Sequence, residues 1–430
     1  MIQEWRETQL NELIDIKHGF AFKGEYFTDE PTNDLLLTPG NFSVGGGFQW
    51  GKYKFYDGPI PTEYILTEGD LVVSMTDLSK AGDTLGYSAM VPPSEYLLLH
   101  NQRIGKVIKK SESIDALYLN YQLRTKTYRN EVLASATGST VRHTSPAKIG
   151  AYRFLLPPLD EQKAIASVLS ALDDKIENNR RMNETLEEMA RAIFKSWFVD
   201  FDPVHAKASG NAPAHMDAET AALFPSSFGD DGLPVGWLQK KVSEIFDFTM
   251  GQSPPGSTYN EEKNGIPFWQ GRRDFGFRFP SDRVYCTAPT RFADEDDTLI
   301  SVRAPVGDVN RALERSCIGR GVAALMHKSK LASYTYYTAL QLREQFKVHE
   351  ASGTVFGSIN KTEFGELKVV LSDGGIEDMF EGLVLPLDKK ILNNHLESET
   401  LESLRDTLLP KLMSGEIRVA DAEREVEAAI

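Results

Sequence analysis

Between Phe268 and Arg320 the chain places Arg272, Arg273, Arg278, Arg283, Arg291, Arg303, Arg311, Arg315 and Arg320, with no lysine among them. A guanidinium is a planar fork of donors that matches a phosphate or the edge of a guanine, whereas a lysine is a mobile point charge. The chemistry this suggests is recognition of nucleic acid. Acidic residues are interleaved, however, and a solvated mixed-charge surface has the same composition. Three further loop patterns carry side chains able to reach base edges or phosphates. The first is Gly138-Ser139-Thr140-Val141-Arg142-His143-Thr144, with Thr140, Arg142 and His143 as contacts; its pattern returns later with Thr354, Ser358 and Lys361. A plain turn before a strand would look similar. The second offers Asn41, Gln49 and Lys52 among Phe48, Trp50 and Tyr53, and its counterpart by order is Gln270, Arg272 and Arg273. Aromatics so placed also suit a domain core. The third is Gln102 with Arg103, matched by Arg320, with Arg303 nearby.

Constellations that would do bond-making chemistry are missing. Gly46 to Lys52 approaches a phosphate-binding loop, but Tyr53 stands where a metal-binding Ser or Thr is required. The double prolines at Pro92-Pro93, Pro157-Pro158 and Pro254-Pro255 lack the preceding Asp or Asn and the following aromatic of an amino-methylating tetrapeptide. No His-Glu-x-x-His or Gly-x-Ser-x-Gly pattern occurs. Cys286 and Cys317 are too few for a disulfide framework or a cysteine zinc site. Asp388-Lys389-Lys390 lies inside a helical heptad and reads as solvent-facing charge rather than a nuclease cluster. The expectation is a chain with no catalytic residue and no metal or cofactor of its own.

Loops of this kind need a scaffold, and the scaffold is written twice. Trp5, Glu12, Asp15 and Gly19 recur 232 positions later as Trp237, Glu244, Asp247 and Gly251. Ala136 to Thr140, Gly150, Asp173 and Lys175 recur at a spacing of 215 as Ala351 to Val355, Gly365, Asp388 and Lys390. The second copy therefore lacks about seventeen residues in its middle. Each copy begins with short strand-like runs, such as Leu71-Val72-Val73-Ser74 and Leu299-Ile300-Ser301-Val302, and ends in a long heptad helix. In the first helix Ile165, Leu172, Asn179, Leu186 and Ile193 fill a, and Leu169, Ile176, Asn183 and Ala190 fill d. The second has Phe380, Leu387, Asn394, Leu401 and Leu408 at a, and Val384, Ile391, Ser398 and Arg405 at d. Two matched seams with polar centres predict an antiparallel pair of helices roughly 50 Å long, with Asn179 and Asn394 facing each other to set register. Met182, Met189, Phe194, Trp197 and Phe198 exceed what one such seam buries, so they are expected either to bind a partner or to pack on the globular parts.

Composition agrees with a soluble protein of two or three domains: 430 residues, 41% hydrophobic and 25% charged. The net charge of -15 is concentrated in the stretch after Asp200 and in the tail after Glu416. An acidic nucleic-acid binder of this sort is expected to work in a complex whose other subunits supply basic surface. Met1 to Thr8 does not resemble a secretion signal, and no apolar run is long enough to span a membrane, so a reducing cytoplasmic location is expected.

The run Leu156-Pro157-Pro158-Leu159-Asp160-Glu161-Gln162-Lys163-Ala164-Ile165 and its helix resemble the specificity subunit of type I restriction–modification systems (the HsdS family). So do Ala192 to Pro203, Gly232 to Trp237 and Leu408 to Ile417. The second half departs at Leu371 to Ile376, where the double-proline start is absent. The resemblance implies an α+β fold with two target-recognition domains in tandem, separated by two long helices forming an antiparallel coiled coil. Its boundaries would be 1–158 and 237–375 for the recognition domains, 159–199 and 376–412 for the spacer helices, 200–236 for a linker and 413–430 for a tail. It also implies one recognition domain per half of a split double-stranded DNA target, and helices that set the gap. The partners implied are two modification subunits that methylate adenine, and restriction subunits, with S-adenosylmethionine, ATP and Mg held by those partners. A coiled-coil scaffold without DNA readout, and the recognition part of a related single-complex restriction enzyme, remain alternatives.

Overall fold

The computed structural model describes residues 5–51, 53–346 and 357–429; Lys52 and Thr354, two of the candidate contacts, lie outside them. The chain forms two compact units, Met1–Asn179 with His395–Ile430, and Arg180–Asn394. Each of the two long helices, Leu159–Phe198 and Ile376–Ser414, gives one half to each unit. The helices are thus not segments apart from the globular parts, because each half buries its apolar face on the layer beside it.

In the first unit a four-stranded antiparallel sheet runs in the order Ile14–His18, Ile104–Lys109, Leu71–Ser74, Ser88–Met90. A mixed five-stranded sheet has the order Phe27–Thr28, Phe55–Tyr56, Asp34–Leu36, Leu97–Leu99, Ile65–Leu66. A third pair joins Arg6–Gln9 to Arg153–Leu156. The second unit repeats this layout. Its four strands are Phe246–Met250, Val322–His327, Thr298–Ser301 and Val309–Arg311. Its five are Tyr259–Asn260, Tyr285–Cys286, Ile266–Trp269, Ser316–Ile318 and Phe292–Ala293, again with one parallel pairing in the same place, and Leu238–Lys241 pairs with Lys368–Leu371. Strands Leu71–Ser74 and Thr298–Ser301 are buried at every residue, which is why they read as unbroken apolar runs rather than alternating ones.

The repeated sequence signals have structural causes. A Cβ on Gly19 would lie 2.1 Å from the Asn101 carbonyl oxygen, and one on Gly251 would lie 2.1 Å from that of Gly319, so only glycine lets these strand ends approach the facing turns. At the start of the first long helix Gln162 is fully buried. Its amide donates to Ser113 O and Pro157 O, and its oxygen accepts from Asp115 N, stitching the helix to the globular part. The second helix lacks the prolines but keeps the device: Glu377, 215 positions after Gln162, accepts from Ser372 N at 2.8 Å.

Within each unit the two helix segments run antiparallel. In the first, Asp173 meets Arg405 and Asn179 meets Glu397; Ile165, Leu169 and Leu172 share a core with Leu401, Leu408 and Leu412. In the second, Asn183 meets Asn394, and Phe194 packs on Phe380 with ring centroids 5.5 Å apart. The expected asparagine pairing takes a different form. Asn179 and Asn394 belong to different units, and within its own unit Asn179 donates to Glu397 Oε2 (2.8 Å) and Ser398 Oγ (3.4 Å), while Asn394 donates to Asn183 Oδ1 (2.8 Å).

Two other expectations are corrected. Phe194, Trp197 and Phe198 are not a partner surface: all three are buried among Tyr334, Phe224, Trp237 and Phe380. Met182 and Met189 do stay about half exposed. The stretch 200–236 is not a bare tether. It forms helices Asp202–Ala208 and Ala218–Leu223 and buries Val204 and Phe224 in the second unit's core. No helix among the described residues is long and apolar enough to cross a membrane.

Candidate nucleic-acid interface

The loops singled out by residue type meet on a backbone ladder that occurs in both units. In the first, Met75 N donates to Arg103 O (2.9 Å) and Thr144 N to Met75 O (3.0 Å). In the second, Val302 N donates to Gly321 O (2.9 Å) and Ile359 N to Val302 O (3.1 Å). The residues flanking these bonds are the candidates: Gln102, Arg103, Arg142 and His143 in one unit, and Arg303, Arg320 and Ser358 in the other. Two of the three loop classes are therefore neighbours in space although about 40 residues separate them in sequence.

The first unit closes this region with a short two-stranded antiparallel pairing. Arg142–His143 pairs with Thr76–Asp77, His143 Nδ1 lies 3.2 Å from Thr76 Oγ1, and Arg142 Nε donates to Lys80 O. Gly138 sits at φ +93°, where a Cβ would strike Val141 O, so the Gly-Ser-Thr turn is conformationally required and leaves Thr140 exposed. The second unit has a bridge between Arg303 and Ser358 at the matching place, and Asn360 caps the helix Lys361–Glu366 by accepting from Thr362 N and Glu363 N. Gly251, Val302, Arg303, Arg320, Ser358 and Asn360 line a cleft of about 450 Å³. Gln270 adjoins it, since Gly319 N donates to Trp269 O and a Cβ on Gly321 would meet Gln270 O. Gln270, Arg273 and Lys361 are exposed.

Two candidates in the first unit do a different job. Asn41 is buried, accepts from Thr38 N (2.9 Å) and donates to Gln49 O, so it shapes its own turn and cannot read a base. The Gln49 amide donates to Gly40 O and Phe42 O, closing the same loop, although its side chain is exposed.

The arginine run divides in the same way. Arg272 pairs with Asp308, Arg278 with Glu187 and Asp388, Arg283 with Asp274, Arg311 with Asp296 and Asp388, and Arg315 with Asp294. Among the described residues Arg273, Arg291, Arg303 and Arg320 form no ion pair and are exposed. Arg278 is the extreme case. It is buried, its guanidinium lies 3.5 Å from the centroid of the Tyr336 ring, and it donates to Asp388 Oδ1 at 2.6 Å.

Asp388 therefore does not face solvent. It is buried, and accepts also from Tyr337 Oη (3.2 Å) and Arg311 (3.0 Å). Asp173, its repeat mate, accepts from Tyr121 Oη (2.8 Å), Arg124 (2.7 Å) and Arg405 (2.8 Å). Burial pushes the Asp173 carboxyl up, but Arg124 and Arg405 outweigh it and hold the group below the ordinary carboxylate range. In each copy one helix carboxylate thus anchors the globular part to the helix through a tyrosine and arginines. The recurrence of Asp173 as Asp388 was the sequence signal for this joint.

Comparison with known proteins finds relatives over most of the chain. Residues 2–188 match the family described as the type I restriction modification DNA specificity domain. A specificity subunit assigned to the MjaX type I restriction enzyme of Methanocaldococcus jannaschii is 29% identical over 362 residues, which is 83% of this chain and 80% of that protein. Over most of its length the chain is thus similar to type I restriction–modification specificity subunits. The HindI specificity subunit of Haemophilus influenzae is 25% identical over 79% of this chain and 87% of its own length. A crystal structure of the type I restriction–modification S subunit from M. genitalium shares the fold, with a TM-score of 0.57 over 96% of each chain at 18% identity. At the ladder of each unit exposed side chains gather, Gln102 and Arg103 in the first and Arg303 and Arg320 in the second, and none of these arginines forms an ion pair among the described residues.

Proposed function

We propose that this specificity subunit reads a split double-stranded DNA target, each unit contacting one half through the residues around its ladder, while the paired helices set the gap between halves. The observation that carries this is the repetition of the same hydrogen-bonded ladder in both units with different side chains on it. A common frame with exchanged readers is what two distinct half-sequences need. In the second unit Arg273, Arg303, Arg320 and Lys361 supply cationic groups that the fold itself leaves unneutralised among the described residues, in a chain whose net charge is -15. Phosphate affinity sufficient for stable binding would then come from partners: two modification subunits holding S-adenosylmethionine and methylating adenine, and restriction subunits using ATP and Mg. Met182 and Met189, exposed on the first helix at heptad spacing, suit a partner contact. Catalysis belongs to those partners; this chain supplies specificity.

The test is to co-express the chain with an adenine-methylating modification subunit and map methylated adenines across genomic DNA. A split motif of two short sequences around a fixed gap is the expected result. A stable complex that binds mixed-sequence DNA in a salt-dependent way yet methylates without any motif would overturn sequence reading by this chain.

A further inference from the structure

The two units carry different chemistry at the same ladder positions. Counting from the ladder bonds, Arg303 in the second unit occupies the place of Thr76 in the first, Arg320 that of Gln102, and Ser358 that of His143. Arg303 and Arg320 line one cleft, both are exposed, and neither forms an ion pair among the described residues, although five of the nine arginines between Phe268 and Arg320 do. Leaving two cations unneutralised on one cleft wall, in a chain rich in carboxylates, fits an acceptor supplied from outside. The first unit is unlike this. Thr76 is buried with its hydroxyl beside His143, and Gln102 is an exposed amide. A guanidinium, that of Arg103, stands one residue along, at the place of Gly321.

Geometry translates these side chains into bases. A guanidinium fork donates two parallel bonds to O6 and N7 of guanine, and a carboxamide both donates and accepts at N7 and N6 of adenine. We infer that Arg320, assisted by Arg303, reads a guanine in the half-site of the second unit, and that Gln102 at the equivalent position reads an adenine in the half-site of the first. This rests on the proposed DNA reading, and names the residues and bases that distinguish the halves.

The experiment uses the full chain co-expressed with its modification subunits, with methylated adenines mapped for wild type, Arg320→Gln, Arg303→Gln and Gln102→Arg. In the wild type one half of the motif is expected to hold an invariant guanine. Arg320→Gln should lower methylation of sites with that guanine at least tenfold, admit adenine there, and leave the other half unchanged. Arg303→Gln should weaken the same half alone, and Gln102→Arg should bring guanine into the opposite half. Since all three side chains are exposed, thermal unfolding midpoints should stay at the wild-type value, which separates readout from folding. Uniform weakening at all sites with an unchanged motif would mean phosphate contact and overturn the assignment, as would a change in both halves. A wild-type complex that yields no split motif would instead sink the underlying reading of DNA.

Discussion

Single residues carry the joints between helix and globular part, and these joints are costly to break. Asp388 neutralises Arg278 and Arg311 in a site closed to solvent, with side-chain exposures of 1%, 1% and 7%. Removing Asp388 leaves Arg278 with Glu187 and Arg311 with Asp296 as their remaining counter-charges, so two buried cations each lose a partner, a loss of about 3–5 kcal/mol. Asp388→Ala is therefore expected to destabilise the second unit by that amount in urea unfolding, and Lys389→Ala next to it to change little. Titration gives a second expectation, with opposite signs in the two units. Burial holds the His100 imidazole down to about 4, so the unfolded chain takes up its proton first. Its contribution is complete above the ordinary value of about 6.5 and is lost as pH falls toward 4. Burial pushes the Asp297 carboxyl up to about 6, so its folded form binds the proton more tightly and the second unit loses stability as pH rises through the window from 3.8 to about 6. Unfolding midpoints between pH 4 and 6.5 should show His100→Gln flattening the acid loss of the first unit and Asp297→Asn removing the loss of the second on the alkaline side of this window. An unaltered profile in both variants would refute these roles.

At the scale of elements, the heptads were legible because a buried seam imposes its period on the sequence, and Ile165, Leu169, Leu172, Leu401 and Leu408 are buried as their positions require. The partner of each polar seam residue was not legible, since a one-turn difference in stagger exchanges one neighbour for another without altering the pattern. Asn394 meets Asn183 rather than a residue in its own repeat position. Arg278 was equally opaque: a buried and an exposed arginine look alike until Glu187, Asp388 and Tyr336, from 58 to 110 positions away, are brought around it. The observed partners change the expected mutational outcome. Asn394→Leu alone should lower stability by roughly 1–3 kcal/mol, because the buried Asn183 Oδ1 loses its donor. The double change Asn183→Leu with Asn394→Leu should recover most of it, as thermal unfolding would show. For the gap, inserting seven residues into both long helices adds about 10 Å, near three base pairs. Methylation mapping should then show the spacer lengthened and both half-sequences unchanged; altered half-sequences with a constant spacer would refute the ruler.

For the molecule as a whole, the two units differ in how the chain builds them. The second is one continuous run, Arg180–Asn394, whereas the first needs both ends of the chain. Its core takes Leu401, Leu408, Leu409, Leu412 and Met413 from the end of the second helix, and Gly415 lies against Trp5. The duplication in sequence suggested two equal modules, yet the order of the copies dictates this inequality: the helix that completes the first module follows the second module in the chain. Energetics make the difference measurable. Burying those five side chains contributes on the order of 7–15 kcal/mol, comparable to the whole stability of a domain. A chain ending at Asn394 is expected to leave Ile165, Leu169 and Leu172 uncovered, so its first unit should lose cooperative unfolding while the second keeps its own transition. Supplying residues 395–430 as a separate polypeptide should restore the first transition, because the covering segment acts through packing and not through covalent continuity. Unfolding of the truncated chain with two unaltered transitions would show that the first unit stands without this segment, and the division of the chain would have to be redrawn.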